Sequence, residues 1–313
     1  RFGTVHSCVD STVLRLMTGL MRVAVTGGFS FSGRYIGKAL LRKGIETITL
    51  VNDPESNPRQ EFTKILPFAF ENPSHLISNL KGTTVLINTY WVRFPYGKIH
   101  FVHAVENTET LINAAIAAGV EHIVHLSVSN PSEGAWLPYF QGKLRVEHLI
   151  KESGLSFVIL RPTLIYGEGD ILINNIAYLL RKYPVFIIPG DGNYRVQPIY
   201  VEDLAEIVVD STMTRGQIIK DVAGKGIYTF NKIVQLIAKA IDHNNAIIHT
   251  PPYVAYQISR IISFLEKDIL LTQEEIRGLM ANLLVSRSQP NGWSDFTEWI
   301  QENRHSLGIK YHS

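Results

Sequence analysis

The sequence predicts an α/β protein built on a doubly wound parallel sheet, followed by a smaller, mostly helical lobe. Three observations support this. A strand, a glycine turn and a helix follow one another without interruption from Met21. Five more strand-like runs then alternate with helical patterns up to Arg161. Beyond Arg161 that rhythm gives way to mainly helical segments.

Taken in order, Val23, Ala24 and Val25 form a short apolar run that Thr26-Gly27-Gly28 breaks. From Arg34 to Arg42 a helical pattern follows, with Ile36, Leu40 and Leu41 apolar and Arg34, Lys38 and Arg42 polar. Such an arrangement points the free N–H groups of a helix N-terminus at whatever lies over the turn, which suits a pyrophosphate. The further strands are expected at Glu46–Val51, Lys64–Phe68, Thr84–Asn88, His122–Ser127 and Ser156–Arg161. Helices are expected at Pro73–Leu80, Ile99–Ala118 and Tyr139–Ser153, with Gly119 as a stop. Right-handed crossovers between such strands place ligands at their carboxyl ends, at the switch point.

After Arg161, Ile171–Tyr183 reads as helix and gives way to short strands and loops around Pro189-Gly190-Asp191-Gly192. Val201–Thr212, Thr229–Ile241, Tyr253–Leu265, Thr272–Leu284 and Trp293–Glu302 read as helices. The expected organisation is an N-terminal extension over residues 1–20, a dinucleotide-binding domain over 21–161, and a substrate lobe over 162–313 that partly returns to the first domain. The extension lacks a sustained apolar core of the secretory type. Arg1, Arg15 and its Ser/Thr content resemble an organellar transit remnant, and Asp10 argues against one. The apolar residues of Tyr253–Leu271 read as buried core, with a surface helix touching a membrane or a partner as the alternative.

Composition narrows the function classes. A net charge of +2 with no long basic run argues against a nucleic-acid partner. No apolar stretch reaches the length of a membrane span. Cys8 is the only cysteine, which leaves no disulfide framework and favours a reducing compartment, the cytoplasm, with an organellar matrix still open. The 11 histidines do not suggest a metal site. His100 and His103 share a helix face, whereas His122 and His125 fall on opposite faces of a strand, and no His-Glu-x-x-His pattern occurs.

Two constellations carry the chemistry. In the turn, Gly27, Ser30 and Gly33 stand at the spacing of an extended dinucleotide motif, with serine at the middle position. Either the Ser30 hydroxyl bonds a phosphate oxygen, or its side chain pushes the cofactor away. Further along, HLSVSN ends a strand with Ser127, and Tyr139 is followed by Lys143 on the same helix face. A tyrosine beside an ammonium can exchange a proton with a carbonyl or alcohol oxygen, a serine can steady that oxygen, and a nicotinamide can carry the hydride. The same Tyr-x-x-x-Lys spacing recurs at Tyr178/Lys182 and Tyr228/Lys232, where helix packing and a solvated lysine account for it. Gly142, inside the Tyr139 helix, costs ~1 kcal/mol relative to alanine and implies a close neighbour. The segment TYWVRFPYGK follows the fourth strand. Its Tyr90, Trp91, Phe94 and Tyr96 line a pocket with Arg93 meeting an anion, or else pack beneath the second lobe.

TGGFSFSG, HLSVSN, YFQGK, ILRPTLIYG and PGDG…VQPIYVEDLA, in that order, resemble the short-chain dehydrogenase/reductase superfamily. The resemblance is to its extended or atypical branch of NAD(P)-binding, epimerase-like and NmrA-like proteins, and spans roughly Met21 to Ile241. It implies a Rossmann-type domain. It also implies a phosphate turn at Thr26, Gly27, Gly28, Phe29, Ser30, Phe31, Gly33 and Arg34, with Thr89, Tyr90 and Pro162 beside the cofactor. Tyr139 would be the acid/base, Lys143 the ribose-binding partner, and Ser127, or nearby Ser129, the substrate-oxygen donor. Ala69 falls where the family often has an aspartate near adenine. At the end of the second strand NADP-type members often read LVRDP; here Asn52 replaces the arginine and Asp53 is uninformative. Arg34 either reaches a 2′-phosphate or is solvated, so the reading leans to NADP, with NAD as the alternative.

The expected activity is that of an NAD(P)-dependent oxidoreductase or epimerase acting on a small carbonyl or alcohol substrate. The alternative is an NAD(P)H-binding protein without turnover. The same branch contains such proteins, among them the nucleotide-binding accessory subunit of respiratory complex I and NmrA-like redox sensors. A homodimer through sheet-flanking helices is a further implication of the resemblance.

Overall fold

In the computed structural model, which describes residues 21–56, 60–95, 100–266 and 272–312, β1 (Arg22–Thr26) runs through the glycine turn into α1 (Phe31–Arg42). The chain continues through β2 (Glu46–Val51), β3 (Lys64–Pro67), α2 (Pro73–Leu80), β4 (Val85–Asn88) and α3 (Phe101–Ala118). β5 (His122–Leu126), α4 (Pro138–Glu152) and β6 (Ser156–Pro162) follow. Together with β11 (Gln217–Val222), the first six strands form one parallel sheet in the order β11-β6-β5-β4-β1-β2-β3. The direction of winding switches between β1 and β4, and their carboxyl ends open the crevice where ligands of such sheets bind.

The sheet is buried on both faces because its strands alternate between two cores. Val23, Val25, Val85, Ile87, Val124 and Leu126 pack with Ile36 and Leu40 of α1 on one side. Ala24, Ile48, Leu50, Leu86 and Ile123 pack with Leu76, Leu111 and Val146 of α2, α3 and α4 on the other. α3 ends at Gly119 with φ +85°, the left-handed cap expected there.

After β6 come β7 (Leu164–Tyr166), α5 (Leu172–Lys182), β8 (Val185–Pro189), β9 (Arg195–Val196), β10 (Pro198–Tyr200) and α6 (Val201–Ser211). Beyond β11 lie β12 (Tyr228–Thr229), α7 (Phe230–Ala240), β13 (Ala246–Thr250), α8 (Pro252–Glu266), α9 (Gln273–Met280) and α10 (Phe296–Glu302). Short strand pairs β7–β10, β8–β13 and β9–β12 join these helices, which share a core of Tyr166, Ile173, Ile176, Leu180, Ile233, Ile237 and Trp299. Two elements rejoin the main sheet: α6 supplies Leu204 and Val208 to the α1 side, and β11 extends the edge beside β6.

The last two helices are shorter than their periodicity predicts. Asp203, buried at the start of α6, accepts from the N–H groups of Trp293 and Ser294, both at 2.7 Å, so α10 starts only after the Asp295 cap. The chain leaves α9 through Asn282 at φ +56°. The stripe on α8 is exposed rather than buried: Tyr253, Ile261 and Phe264 are 67%, 62% and 83% accessible, while Ala255 and Ser259 face inward. The expected extension over residues 1–20 lies outside the described residues. Among the described residues no helix is long and apolar enough to cross a membrane.

One buried ion pair ties together the three elements that frame the crevice. Glu147 of α4 is fully buried, and Arg161 of β6 grips it through Nε–Oε1 at 2.9 Å and Nη2–Oε2 at 2.6 Å. Ser127, just past β5, donates to the same carboxylate at 2.6 Å. Glu147→Ala strands the guanidinium and should cost about 3 kcal/mol of stability in urea unfolding; a loss below about 1 kcal/mol, the scale of an exposed pair, would contradict this role. A second buried carboxylate, Asp170, caps α5 by accepting from Ile173 N at 2.7 Å. Burial pushes its carboxyl up to about 7, against backbone donors that pull it down. The folded chain therefore keeps a proton that the unfolded chain releases. Stability is full below the ordinary value of 3.8 and declines as pH rises through about 7. Asp170→Asn keeps the acceptor and should abolish that decline in melting temperature; a variant that follows the parent at every pH would overturn the assignment.

Candidate functional site

The turn after β1 is shaped by two glycines. Gly27 adopts φ +65° and donates to Leu50 O at 2.7 Å. Gly33 lies where α1 meets the turn: a Cβ there would stand 2.1 Å from Gly27 O. Ser30 is the N-cap of α1, its Oγ accepting from Gly33 N at 3.2 Å. Besides the phosphate bonding or steric exclusion expected of it, this serine has a capping role. Arg34 N is bonded to Ser30 O, which leaves the N–H groups of Phe31 and Ser32 at the helix end for an anion.

A cleft of about 670 Å³ opens beside this turn. It brings together Gly27, Phe29, Ser30, Asn52, Asp53, Thr89 and Tyr90 of the predicted cofactor residues. Phe68 and Phe70, also in its wall, stack at 4.9 Å, with Tyr90 tilted against both at 5.1 and 5.0 Å. Asn107 fixes the Tyr90 hydroxyl at 2.8 Å. A helix N-terminus, a carboxylate at the end of β2 and a flat aromatic wall fit the diphosphate, ribose and base of a dinucleotide. Ala69, between the two phenylalanines, adopts φ +51°.

The remaining predicted cofactor residues do not line this cleft. Gly28 N is bonded to Thr49 Oγ1 at 3.0 Å, and Phe31 packs edge-on against Tyr35 at 5.8 Å. Pro162 O accepts from Ser129 N. Thr26 works from behind: its Oγ1 accepts from Thr89 N at 2.8 Å and Tyr90 N at 3.0 Å and meets Asn88 Oδ1 at 3.1 Å. Arg34 turns away from Asn52, donates to the Glu168 carbonyl, and lies over the Phe31 and Tyr35 rings at 5.7 and 5.3 Å. Among the described residues the cleft is lined by Asp53 and Glu71 and by no lysine or arginine; residues 57–59 lie outside the description.

Next to this cleft lies a second, apolar cavity of about 550 Å³. Tyr139, Phe101, Leu137, Phe140, Leu164, Ile165, Leu172 and Leu284 line it, with Thr272 and Glu275 from the lobe. Arg93 reaches it and is paired with Glu275 at 2.8 Å. The aromatic segment after β4 is thus divided: Tyr90 and Trp91 face the cleft and Phe94 the cavity, while Tyr96 lies outside the described residues.

The Ser127, Tyr139 and Lys143 side chains are held by different partners. Tyr139 alone lines the cavity, and burial, reinforced by Glu275 and opposed by Arg93, pushes its phenol up to about 12. Lys143 Nζ, one helical turn on, donates to Leu126 O at 2.9 Å. Burial brings its ammonium down to about 7 against the pull of Glu147, and the Trp91 ring lies 4.8 Å over it. Ser127 is committed to Glu147, and Ser129 to Leu283 O at 2.6 Å. Spacing placed tyrosine and lysine on one face; the depth of the lysine along that face was not visible in it.

Sequence reasoning missed Asn88, His125, Glu147 and Arg161. Asn88 Nδ2 stands 3.2 Å from His125 Nδ1, and burial with nearby Lys143 holds that imidazole well below its ordinary value. Glu147 follows Lys143 by four residues on the inward face of α4, which was the available signal. No group of three or more His, Cys, Asp or Glu side chains suited to a metal ion occurs among the described residues.

Residues 27–176 match a family model described as NAD(P)H-binding. NADH dehydrogenase (ubiquinone) 1 alpha subcomplex subunit 9, mitochondrial, of Dictyostelium discoideum is 26% identical over 234 residues, covering 70% of this chain and 64% of that protein. Among solved structures, Citrobacter sp. triphenylmethane reductase complexed with NADP(H) superposes with a TM-score of 0.74 at 14% identity, covering 90% of this chain and 99% of that one. An NADPH-dependent quinone oxidoreductase from Escherichia coli complexed with NADPH gives 0.70 at 18%, covering 91% and 99%. These superpositions show the shared fold. Residues 27–176 thus form an NAD(P)H-binding domain of Rossmann type, and the chain is similar to the extended, NmrA-like branch of the short-chain dehydrogenase/reductase superfamily.

Proposed function

We propose that this protein is an NAD(P)H-dependent reductase whose acceptor is an apolar carbonyl or quinone-type molecule. The observation behind this reading is the apolar cavity beside the cleft, with the Tyr139 phenol in its wall. Gly27, Ser30, the α1 N-terminus and Asp53 would hold the dinucleotide. A reduced nicotinamide, when bound, supplies a hydride. Tyr139, pushed up to about 12, stays a phenol through the neutral range, ready to donate a proton to the acceptor oxygen and regain one from water. An epimerase of charged sugars fits less well, because Arg93, the cation in the described lining, is neutralised by Glu275. The dinucleotide of this reading is NADP, with NAD as the alternative, since Asp53 is shared with NADP-type sequences and does not discriminate. A reducing compartment, cytoplasm or organellar matrix, accords with Cys8 as the only cysteine.

A second reading, an NAD(P)H-holding protein without turnover, is favoured by the Lys143 ammonium being tied to Leu126 O and covered by Trp91. The name of the Dictyostelium relative, a subunit of an NADH dehydrogenase (ubiquinone) subcomplex, points the same way. Tyr139→Phe separates the two readings. With NADH or NADPH and a panel of quinones and aromatic aldehydes, the variant is expected to lose at least about 100-fold in kcat at unchanged cofactor affinity. Undiminished turnover would remove Tyr139 from the reaction. Tight cofactor binding by the parent with no turnover on any acceptor would support the second reading.

A further inference from the structure

Where the cleft and the cavity approach each other, a side chain of one wall packs against two of the other. Trp91 lines the cleft, while Phe101 and Tyr139 line the cavity. The indole stacks on Phe101 at 6.0 Å with an interplanar angle of 8° and meets Tyr139 edge-on at 5.9 Å. Its far edge rests on α4 where Gly142 makes room: a Cβ on that residue would stand 2.7 Å from Trp91 Cη2. This explains a glycine inside the helix, where it costs propensity relative to alanine.

The position matters because of what lies beneath it. In a doubly wound sheet the two nucleotide halves of a dinucleotide lie over the two halves of the sheet, on either side of the switch point. Here the adenosine side is the β1–β2–β3 half, with Asp53 and the Phe68–Phe70 wall. The nicotinamide side is then the β4–β5–β6 half, and Trp91 lies over it, 4.8 Å above the Lys143 ammonium. Among the described residues the buried Trp91 Nε1 has no hydrogen-bond partner, so this resting place forgoes a bond that the indole regains by moving into water or onto a ligand.

We infer that Trp91 is a movable partition that decides how much of a dinucleotide the cleft accepts. In the described position the cleft takes an adenosine diphosphate moiety, and the nicotinamide half enters only when the indole swings off Lys143. This rests on the nucleotide-binding reading of the cleft. Trp91 is thereby a specificity residue for ligand length, and its displacement is the event that uncovers Lys143 and opens the cleft to the cavity beside Tyr139. Full-length dinucleotide binds with an affinity reduced by the fraction of molecules in the open arrangement, whereas ADP does not pay that reduction.

The test is calorimetric binding of ADP, NADH and NADPH to the parent, Trp91→Ala and Trp91→Phe. An open state populated at about 10% or less means that Trp91→Ala tightens the preferred dinucleotide by at least about tenfold. ADP affinity is expected to stay unchanged, and Trp91→Phe to fall between the other two. Trp91→Phe also keeps the test intact if Trp91→Ala does not fold. An unchanged ratio of dinucleotide to ADP affinity in either variant would overturn the partition, as would weaker dinucleotide binding at constant ADP affinity, which marks Trp91 as a stacking contact. If the parent binds none of the three, the nucleotide reading itself fails and this inference fails with it.

Discussion

The hydroxyl of Thr26 holds the centre of the site together. It sits at the carboxyl end of β1, buried, and accepts from the backbone N–H groups of both Thr89 and Tyr90 as the chain leaves β4. Thr89 returns a bond from its own hydroxyl to Thr26 O. These bonds cross the switch point of the sheet, where the two halves would otherwise diverge. They fix the strand-to-loop exit so that Tyr90 faces the cleft and Trp91, one residue on, falls across α4. Asn88 extends the chain of contacts to His125 on β5. Buried polar groups of this kind stay paired because an unpaired one costs more than a neutral contact contributes.

On the other side of the crevice, Glu147 has the corresponding role. A carboxylate with no exposure must be fully neutralised, and Arg161, Ser127 and the more distant Lys151 do this from three directions. The requirement diverts Ser127 from the cavity. Ser127 and Lys143 thus tie β5 to α4, Ser129 and Asn130 reach Leu283 and Val285 of the lobe, and the phenol of Tyr139 lines the open space. Charge placement in the lobe follows a similar logic: Asp203 fixes the segment leading to α10, and Glu275 both caps α9 and neutralises Arg93 at the cavity wall.

The two spaces differ in character for reasons of packing. The cleft joins the backbone of the glycine turn to an aromatic wall and two carboxylates, so it presents donors at one end and ring faces at the other. The cavity is formed where the apolar faces of α4, α5 and α9 fail to meet, so it presents hydrocarbon and ring edges. Trp91, in the wall of the cleft, packs against Phe101 and Tyr139 in the wall of the cavity where the two spaces approach.

By itself the sequence determined six strands of the sheet (the edge strand β11, far along the chain, was not legible), their helices and the place of the glycine turn, because period-two and period-3.6 patterning is local and strong in the first part of the chain. Gly27, Gly33 and the apolar runs of β1, β4 and β5 were legible for that reason, as was Gly142 as a point of close approach. Only the tertiary structure decided which side chains share a space. Lys143 and Tyr139 stand on one helix face, yet one is drawn down to Leu126 O and the other faces the cavity. Arg34 follows the glycine turn, yet a loop 134 residues away takes its charge. The apolar stripe of α8 matched a core helix in pattern and lies exposed, because period reports that a helix has an apolar face and not what covers it. Side-chain destinations depend on partners distant in sequence, and the burial that moves the Lys143 and Tyr139 ionisations exists only once the sheet, α4 and the lobe have closed around them.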